Sequence, residues 1–236
     1  MKFHVLTVFP EFYQPFLERG QLHQGIKKDL LEIETWNLRG FTDDDYGQVD
    51  DKAYGGRYGM VMKPEPYFRG VEAIKEEGAD PPVVLMAPDG KKFNNQAANN
   101  LSDRDEIIIL TGRYEGIDHR VRKHLVDEVW SIGPYITPGG DLPALVLMSA
   151  VARHVPGVVG SWFSVEADSF QDRTLAPPHY TRPAEYRGHE VPEVLRSGDH
   201  QKIEEWRREK ALERTRQNCP ELLDENKNND AQEELQ

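Results

Sequence analysis

Two apolar segments that each run straight into a glycine-rich stretch constrain this chain more than any other feature. Ile107, Ile108, Ile109 and Leu110 lead into Thr111-Gly112-Arg113-Tyr114-Glu115-Gly116-Ile117-Asp118. Val126 to Ile132 leads into Gly133-Pro134-Tyr135-Ile136-Thr137-Pro138-Gly139-Gly140, and a helix is expected from Asp141-Leu142-Pro143 onward. Strands that empty into such loops predict a pocket walled by backbone at the strand ends, where open α/β sheets hold ligands. Gly112, Gly116, Gly133, Gly139 and Gly140 can take positive φ and let main chain approach a ligand closely. Pro134 and Pro138 stiffen the second loop. Asp141 fits an N-cap and Pro143 a first turn, and Leu142, Leu145, Val146, Ser149 and Ala150 recur at helical spacing. One such loop alone reads equally as an ordinary α/β turn. No Gly-x-Gly-x-x-Gly follows a strand and no Walker-type Gly-Lys-Ser/Thr occurs, which weakens the dinucleotide and P-loop readings.

The rest of the chain repeats the alternation. Phe3 to Phe9 and Leu30 to Leu38 read as strands, and Glu11 to about Gly20 and Pro66 to Glu77 as helices. Val83 to Met86 reads as a buried strand ending at Ala87-Pro88-Asp89-Gly90. Asp43 to Asp51 reads as an acidic loop, and Tyr54 to Met60 as too glycine-dense for a regular element. Strands alternating with helices imply a mostly parallel α/β sheet. The pattern breaks at Val158 to about Ala176, where Asp168 and Trp162, Phe163 and Phe170 sit among small polar residues, more than a passive tether needs. Pro177 to Pro183 and Gly188 to Pro192 are turn-rich, and Ser197-Gly198-Asp199 offers caps for a helix to about Arg216. That helix sets Lys202, Arg207, Arg208, Lys210, Arg214 and Arg216 against Glu204, Glu205, Glu209 and Glu213. It reads either as a salt-bridged, solvated face or as a dock for RNA phosphates. The expected division is 1–160, a linker at 161–175 carrying Asp168, and 176–236.

Composition narrows the classes. A chain of 236 residues with net charge −12 is no generic nucleic-acid coat, although phosphate contacts depend on local clusters. Residues 217–236 contribute −5 of that charge and are expected to end in a disordered acidic tail. A single cysteine, Cys219, suits a reducing cytoplasm. Met1 to Leu6 enters a strand pattern at once, so no signal peptide is expected, and no apolar run reaches the roughly 20 residues of a membrane span. The histidines show no metal-ligand spacing, and no structural zinc is expected.

Together these residues resemble one family, the bacterial tRNA (guanine-N1)-methyltransferases known as TrmD. The resemblance is carried by Gly112 to Asp118, Ser131-Ile132-Gly133 with Tyr135, Gly139-Gly140 with Leu142-Pro143-Ala144, and Pro156-Gly157-Val158. Asp168-Ser169-Phe170, Pro178 to Pro183, Val191-Pro192 and Pro220 to Leu223 carry it further. Phe9-Pro10-Glu11 and the stretch from Asp50 to Met60 extend it to the start, so it spans nearly the whole chain. It implies a SPOUT-type fold: a mostly parallel sheet with a C-terminal trefoil knot, a rare exception to unknotted chains, then a small, mainly helical C-terminal domain that grips the tRNA anticodon stem-loop. It implies S-adenosylmethionine, held bent against Ser131, Ile132, Gly133, Tyr135, Ile136 and Thr137. Gly112, Tyr114, Gly116, Gly139, Gly140 and Pro143 would complete that wall, with Leu85 to Pro88 closing one side. It also implies a homodimer sharing the guanine site, and as acceptor the guanosine 3′ of the anticodon.

The chemistry sets its own demands. Transfer from a sulfonium is an in-line displacement that needs donor and acceptor held collinear. Guanine N1 must lose a proton, which calls for a general base, and charge gathering on O6 calls for a fixed cation or donor. Asp168 is the candidate base and Arg153 the candidate for O6, the same roles the resemblance implies. Glu115 is a candidate for a guanine edge or for an assisting magnesium ion. Read alone, the three are equally a linker acid closing a turn, a helix C-terminal charge meeting the dipole, and a loop acid. The chain departs from the family where Ala53-Tyr54-Gly55-Gly56-Arg57-Tyr58-Gly59-Met60 replaces Pro-Tyr-Gly-Gly-Gly-x-Gly-Met, and where Ala167 and Ala176 stand for acids. Those departures motivate the alternative of a divergent knotted RNA-binding protein with reduced or altered methyl transfer.

Overall fold

The computed structural model describes residues 1–56, 58–76, 80–160, 165 and 167–224, in two compact units, Met1–Trp162 and Phe163–Gln236. The expectations for Arg57, for the end of the helix at Glu77, for Trp162 and Phe163, and for the tail beyond Asp224 lie outside the described residues.

The first unit is built on a five-stranded sheet in the order β2-β1-β6-β5-β7. Its strands are β1 (Lys2–Thr7), β2 (Glu32–Asn37), β5 (Val83–Lys92), β6 (Glu106–Leu110) and β7 (Glu128–Ser131), and every pairing is parallel. Parallel sheets are covered on both faces, so their central strands need apolar residues at every position. β6 shows this: Ile107 and Ile109 enter one core with Phe3 and Val5 of β1, whereas Ile108 and Leu110 enter the other with Leu6. The first core is closed by α2 (Gly20–Lys27), α4 (Asn95–Ser102) and α6 (Asp141–His154) through Leu22, Ala98, Leu101, Leu147, Met148 and Val151. The second is closed by α3 (Pro64–Lys75) and α5 (His119–His124) through Tyr67, Val71, Ile74 and Val121.

Several elements differ from expectation. The helix placed at Glu11 to Gly20 is a 3₁₀ turn (Pro10–Phe12), then α1 (Gln14–Leu17), and the longer helix begins at Gly20, whose φ of 78° breaks the run. The glycine-dense stretch is flanked by a short hairpin, β3 (Asp50–Lys52) with β4 (Met60–Met62). Gly55, Gly56 and Gly59 take the positive φ in its connection, and Tyr58 does not. β5 does not end at Ala87-Pro88-Asp89-Gly90; those residues bulge outward and Lys91 and Lys92 rejoin Trp130 and Ser131 of β7. Gly90 permits this because a Cβ there would sit 2.7 Å from the Trp130 backbone nitrogen.

The second unit holds a two-stranded hairpin, β8 (Glu185–Tyr186) with β9 (His189–Glu190), in a stretch expected to be only turns. Arg187 and Gly188, at φ 55° and 80°, supply the left-handed corner that such hairpins need. Then come α7 (Glu193–Arg196) and the 19-residue α8 (His200–Asn218), N-capped by Asp199 through Lys202 N. Among the described residues no helix is long and apolar enough to cross a membrane.

His154, in the last turn of α6, is buried and its Nε2 lies 3.0 Å from Asn95 Oδ1. Burial, helped by the neighbouring Arg153 charge, holds its pKa below the usual 6.5. The unfolded chain therefore binds this proton more readily than the folded one. Stability from this site is complete above about pH 6.5 and falls as pH drops from there towards the lowered folded value. Thermal melts from pH 7.5 down to 5.5 should show a falling Tm, and His154→Gln should flatten that slope.

Candidate donor-binding site

Asp141 was expected to cap α6 and instead is its first residue, with Gly140 at the N-cap position. Its carboxylate points inward and is 2 % exposed. Oδ1 accepts from Thr7 Oγ1 at 2.6 Å and from the Tyr13 hydroxyl at 3.0 Å. Thr111 Oγ1 lies 3.1 Å from Oδ1 and 3.0 Å from Leu6 O. Arg113 closes the set, donating from Nε at 3.1 Å and Nη2 at 2.8 Å to Oδ2 while its guanidinium stacks over the Phe9 ring. Burial, with Asp141 beside it, pushes the Tyr13 phenol pKa far up, so this hydroxyl stays a donor. The sequence signal was present, as an acid in the first turn of an apolar helix, but capping was the commoner reading of it.

This carboxylate locks the two glycine loops together. Gly140 N donates to Gly112 O at 2.8 Å, and Arg113 and Gly139 form a bridge. Of the five glycines, only Gly116 and Gly133 take positive φ, at 115° and 146°. The other three use the lack of a side chain for close approach instead. A Cβ on Gly139 would meet Gly112 O at 2.9 Å, one on Gly140 would meet Gly112 N at 3.0 Å, and one on Gly112 would meet Ile117 Cγ1 at 2.9 Å. Tyr114 is the residue that goes left-handed, at φ 58°, an uncommon state for a side chain of this size.

Between the loops and the β5 bulge lies a cavity of about 560 Å³, within the roughly 300–1,000 Å³ range of small-molecule sites. Pro88, Gly112, Tyr114, Gly116, Ser131, Ile132, Gly133, Tyr135, Ile136, Thr137, Gly139, Gly140 and Pro143 all line it, as does Glu115. Tyr135 folds back so that its hydroxyl donates to Ile132 O at 3.1 Å, its ring lying where a Cβ on Gly133 would be. Thr137 Oγ1 donates to Gly139 O at 2.8 Å, fixing the turn before α6. The wall is mostly peptide groups and small or apolar side chains, which suits a nucleoside. Arg122 and Asp89 also line it, and the sequence reading passed over both.

The remaining candidates lie elsewhere. Arg153 is in the last turn of α6 and is not part of the cavity wall. Asp168 belongs to the second unit. Around it Asp168 N donates to Val165 O at 3.2 Å, Phe170 N to Thr174 O at 2.8 Å, and Ala176 N to Ser169 Oγ at 2.9 Å. Leu175 N donates to Thr215 Oγ1 of α8 at 2.9 Å, and Arg214 holds Ala176 O at 2.7 Å. On α8 itself Lys202, Arg207 and Lys210 pair with Asp199, Glu204 and Glu213 at i,i+3 spacing, the salt-bridged arrangement for those three cations. Glu115 packs against Gly59 of the β3–β4 connection, where a Cβ would lie 2.5 Å from Glu115 Cγ. Among the described residues no group of three or more His, Cys, Asp or Glu is placed to hold a metal ion.

Residues 1–225 match the family model of tRNA (guanine-1)-methyltransferase TrmD. A tRNA (guanine-N(1)-)-methyltransferase of Persephonella marina is 51 % identical over 224 residues, covering 94 % of this chain and 88 % of that protein. The enzyme of the same name from a Sulfurihydrogenibium species is 48 % identical, over 96 % of this chain and 89 % of its own. That of Geobacter metallireducens is 47 % identical, over 95 % and 91 %.

Because Asp141 is buried with its partners around it, removing it leaves the Arg113 guanidinium and the Thr7 and Tyr13 hydroxyls without their acceptor. Asp141→Ala should lower the unfolding free energy by about 3–5 kcal/mol, the cost of breaking a buried pair. A urea titration would show this as a lower midpoint at unchanged slope. Arg113→Ala should cost at least as much, because it leaves the carboxylate buried without its cation.

Proposed function

This chain belongs to the tRNA (guanine-1)-methyltransferase TrmD family, and we propose that it methylates N1 of the guanosine 3′ of the anticodon in tRNA, using S-adenosylmethionine. The observation that carries the reading is a cavity walled by both glycine loops and the β5 bulge. S-adenosylmethionine, when bound, supplies the methyl group and a neutral thioether as leaving group. The chain's own residues bind and orient. Peptide groups around Ile132 to Thr137 face the adenosine, and the Gly112–Gly116 loop bounds the other side. The loops of this wall are read as the threaded part of a trefoil knot.

Asp168 is assigned the general base that takes the N1 proton, work worth roughly 10²- to 10⁴-fold in rate. Arg153 is assigned the charge that develops on O6; its cation already lowers the pKa of the adjacent His154. Glu115 is assigned the guanine edge, or an assisting magnesium ion, and transfer with and without a chelator separates those two. Segment 161–175 is read as the linker carrying the base, and the second unit as the part that grips the anticodon stem-loop. The reaction with tRNA is assigned to the cytoplasm.

A homodimer accords with the exposed apolar residues Leu142 and Val146, one turn apart on α6 and 46 % and 48 % exposed. They adjoin Gly140 and Pro143 of the cavity wall. Two copies would cover this face beside the donor cavity.

Purified protein incubated with labelled S-adenosylmethionine and unmodified tRNA should yield 1-methylguanosine, mapped by nucleoside mass spectrometry to the position after the anticodon. Methyl found elsewhere would overturn the acceptor, and donor binding without product would favour the divergent RNA-binding alternative. Asp168→Ala should cut transfer at least about 100-fold while donor affinity, by calorimetry, stays within about twofold. Loss of both would remove the assignment. Val146→Glu should shift the protein from dimer to monomer in light scattering.

A further inference from the structure

The residues that follow Asp168 form a built turn. Phe170 and Arg173 stand at φ 75° and 62°, left-handed states that such side chains hold only where their surroundings impose them. Across the turn Phe170 N donates to Thr174 O at 2.8 Å, and Thr174 N donates to Asp172 Oδ1 at 3.2 Å. The turn returns Ala176 to Ser169, the residue beside Asp168, where Ala176 N donates to Ser169 Oγ at 2.9 Å.

Helix α8 holds this turn from outside, through two consecutive residues. Thr215 is fully buried. Its Oγ1 donates to Ala211 O at 2.7 Å and accepts from Leu175 N at 2.9 Å. A hydroxyl inside a helix commonly bonds only the carbonyl one turn back. Here the oxygen's remaining acceptor capacity goes to an amide distant in sequence, a bond that serves the turn and not the helix. Arg214 donates from Nη1 to Ala176 O at 2.7 Å. Lys202, Arg207 and Lys210 of the same helix pair with acids, whereas Arg214 is turned to a peptide carbonyl.

We propose that Thr215 and Arg214 are positioning residues for methyl transfer: through Leu175, Ala176 and Ser169 they fix the backbone that presents Asp168. This rests on the reading of Asp168 as the general base. A base must stand within hydrogen-bond reach of the proton it takes, and a displacement of about 1 Å originating far from the chemistry costs on the order of 100-fold in rate. Along the chain Asp168 is remote from α8, but the bonds from Ser169 to Ala176 and from Ala176 to Arg214 join them directly. The helix that carries the cations of the second unit thereby also sets the stance of the base.

Transfer by the full chain, with labelled S-adenosylmethionine and unmodified tRNA, tests this. Thr215→Val removes the hydroxyl at nearly constant volume and should lower kcat about 10- to 100-fold. Donor affinity by calorimetry and KM for tRNA should stay within about twofold. Thr215→Ser, which keeps the hydroxyl, should bring kcat back to within about threefold of the unaltered protein. Arg214 is exposed, so Arg214→Ala tests the same link without opening a buried site, and kcat should again fall more than KM changes. On an Asp168→Ala background, Thr215→Val should slow single-turnover transfer no further, because its effect runs through the missing base. Unchanged kcat in Thr215→Val and Arg214→Ala would overturn the proposal. So would a further loss on the Asp168→Ala background, or a loss of donor affinity equal to the loss of kcat, either of which marks a merely structural role. A salt-dependent rise in tRNA KM with kcat intact would make Arg214 a phosphate contact and remove it from the positioning pair. If Asp168→Ala kept full activity, the base assignment itself would fall, and this inference with it.

Discussion

A carboxylate hidden from water decides the geometry of this protein. Asp141 joins the end of β1 through Thr7, the end of β6 through Thr111, the first glycine loop through Arg113 and the α1 region through Tyr13. An unpaired buried charge would be intolerable; here three hydroxyls, a two-pronged guanidinium and the N-terminus of its own helix share it. The residue also opens α6, so satisfying it drags the helix start against the loop after β6. That is why Gly139 and Gly140 lie so close to Gly112 that no side chain fits between them. The cavity's back wall thus follows from an interaction that lies behind it.

A site built this way recognises by shape and by peptide groups. Glycines brought together by contact, a left-handed Tyr114 and a Tyr135 ring folded over Gly133 leave little freedom to rearrange. Rigid walls reduce the ordering a ligand must impose, so more of its contact energy appears as affinity. Charged side chains also reach the wall, among them Asp89 of the β5 bulge and Arg122 of α5, which pair with each other.

The parallel sheet was readable because Ile107 to Leu110 is apolar at every position, which only a strand buried on both faces sustains. That the two loops wall a pocket was readable for a related reason, since glycine after a strand has few other uses; the thirteen wall residues themselves came from the family resemblance, and all line one cavity. The roles of those glycines were not readable, since a glycine required by contact and one required by φ look identical in sequence. Asp141 was misread because a cap and a buried anchor occupy neighbouring positions, and only the location of Thr7 and Thr111 tells them apart. The β5 bulge was hidden for another reason. Pro88 and Gly90 mark an ordinary strand end, while the rejoining at Lys91 is a pairing with β7, distant in sequence. Helix α5 went unseen because six residues carrying five basic side chains, two of them histidines, show no apolar period.

The acidic balance of the chain acquires a purpose once the basic residues are located. A net charge of −12 disfavours indiscriminate contact with RNA, since non-specific binding rises with the number of phosphates neutralised. Screening at physiological salt confines each cluster's influence to roughly 8 Å, so Arg120, Arg122 and Lys123 of α5 act locally whatever the rest of the chain carries. Arg120 and Arg122 are themselves paired, with Asp118 and Asp89, and α8 tempers Arg207 and Lys210 in the same way. Cations held by neighbouring acids bind phosphate only where geometry lets several exchange partners together.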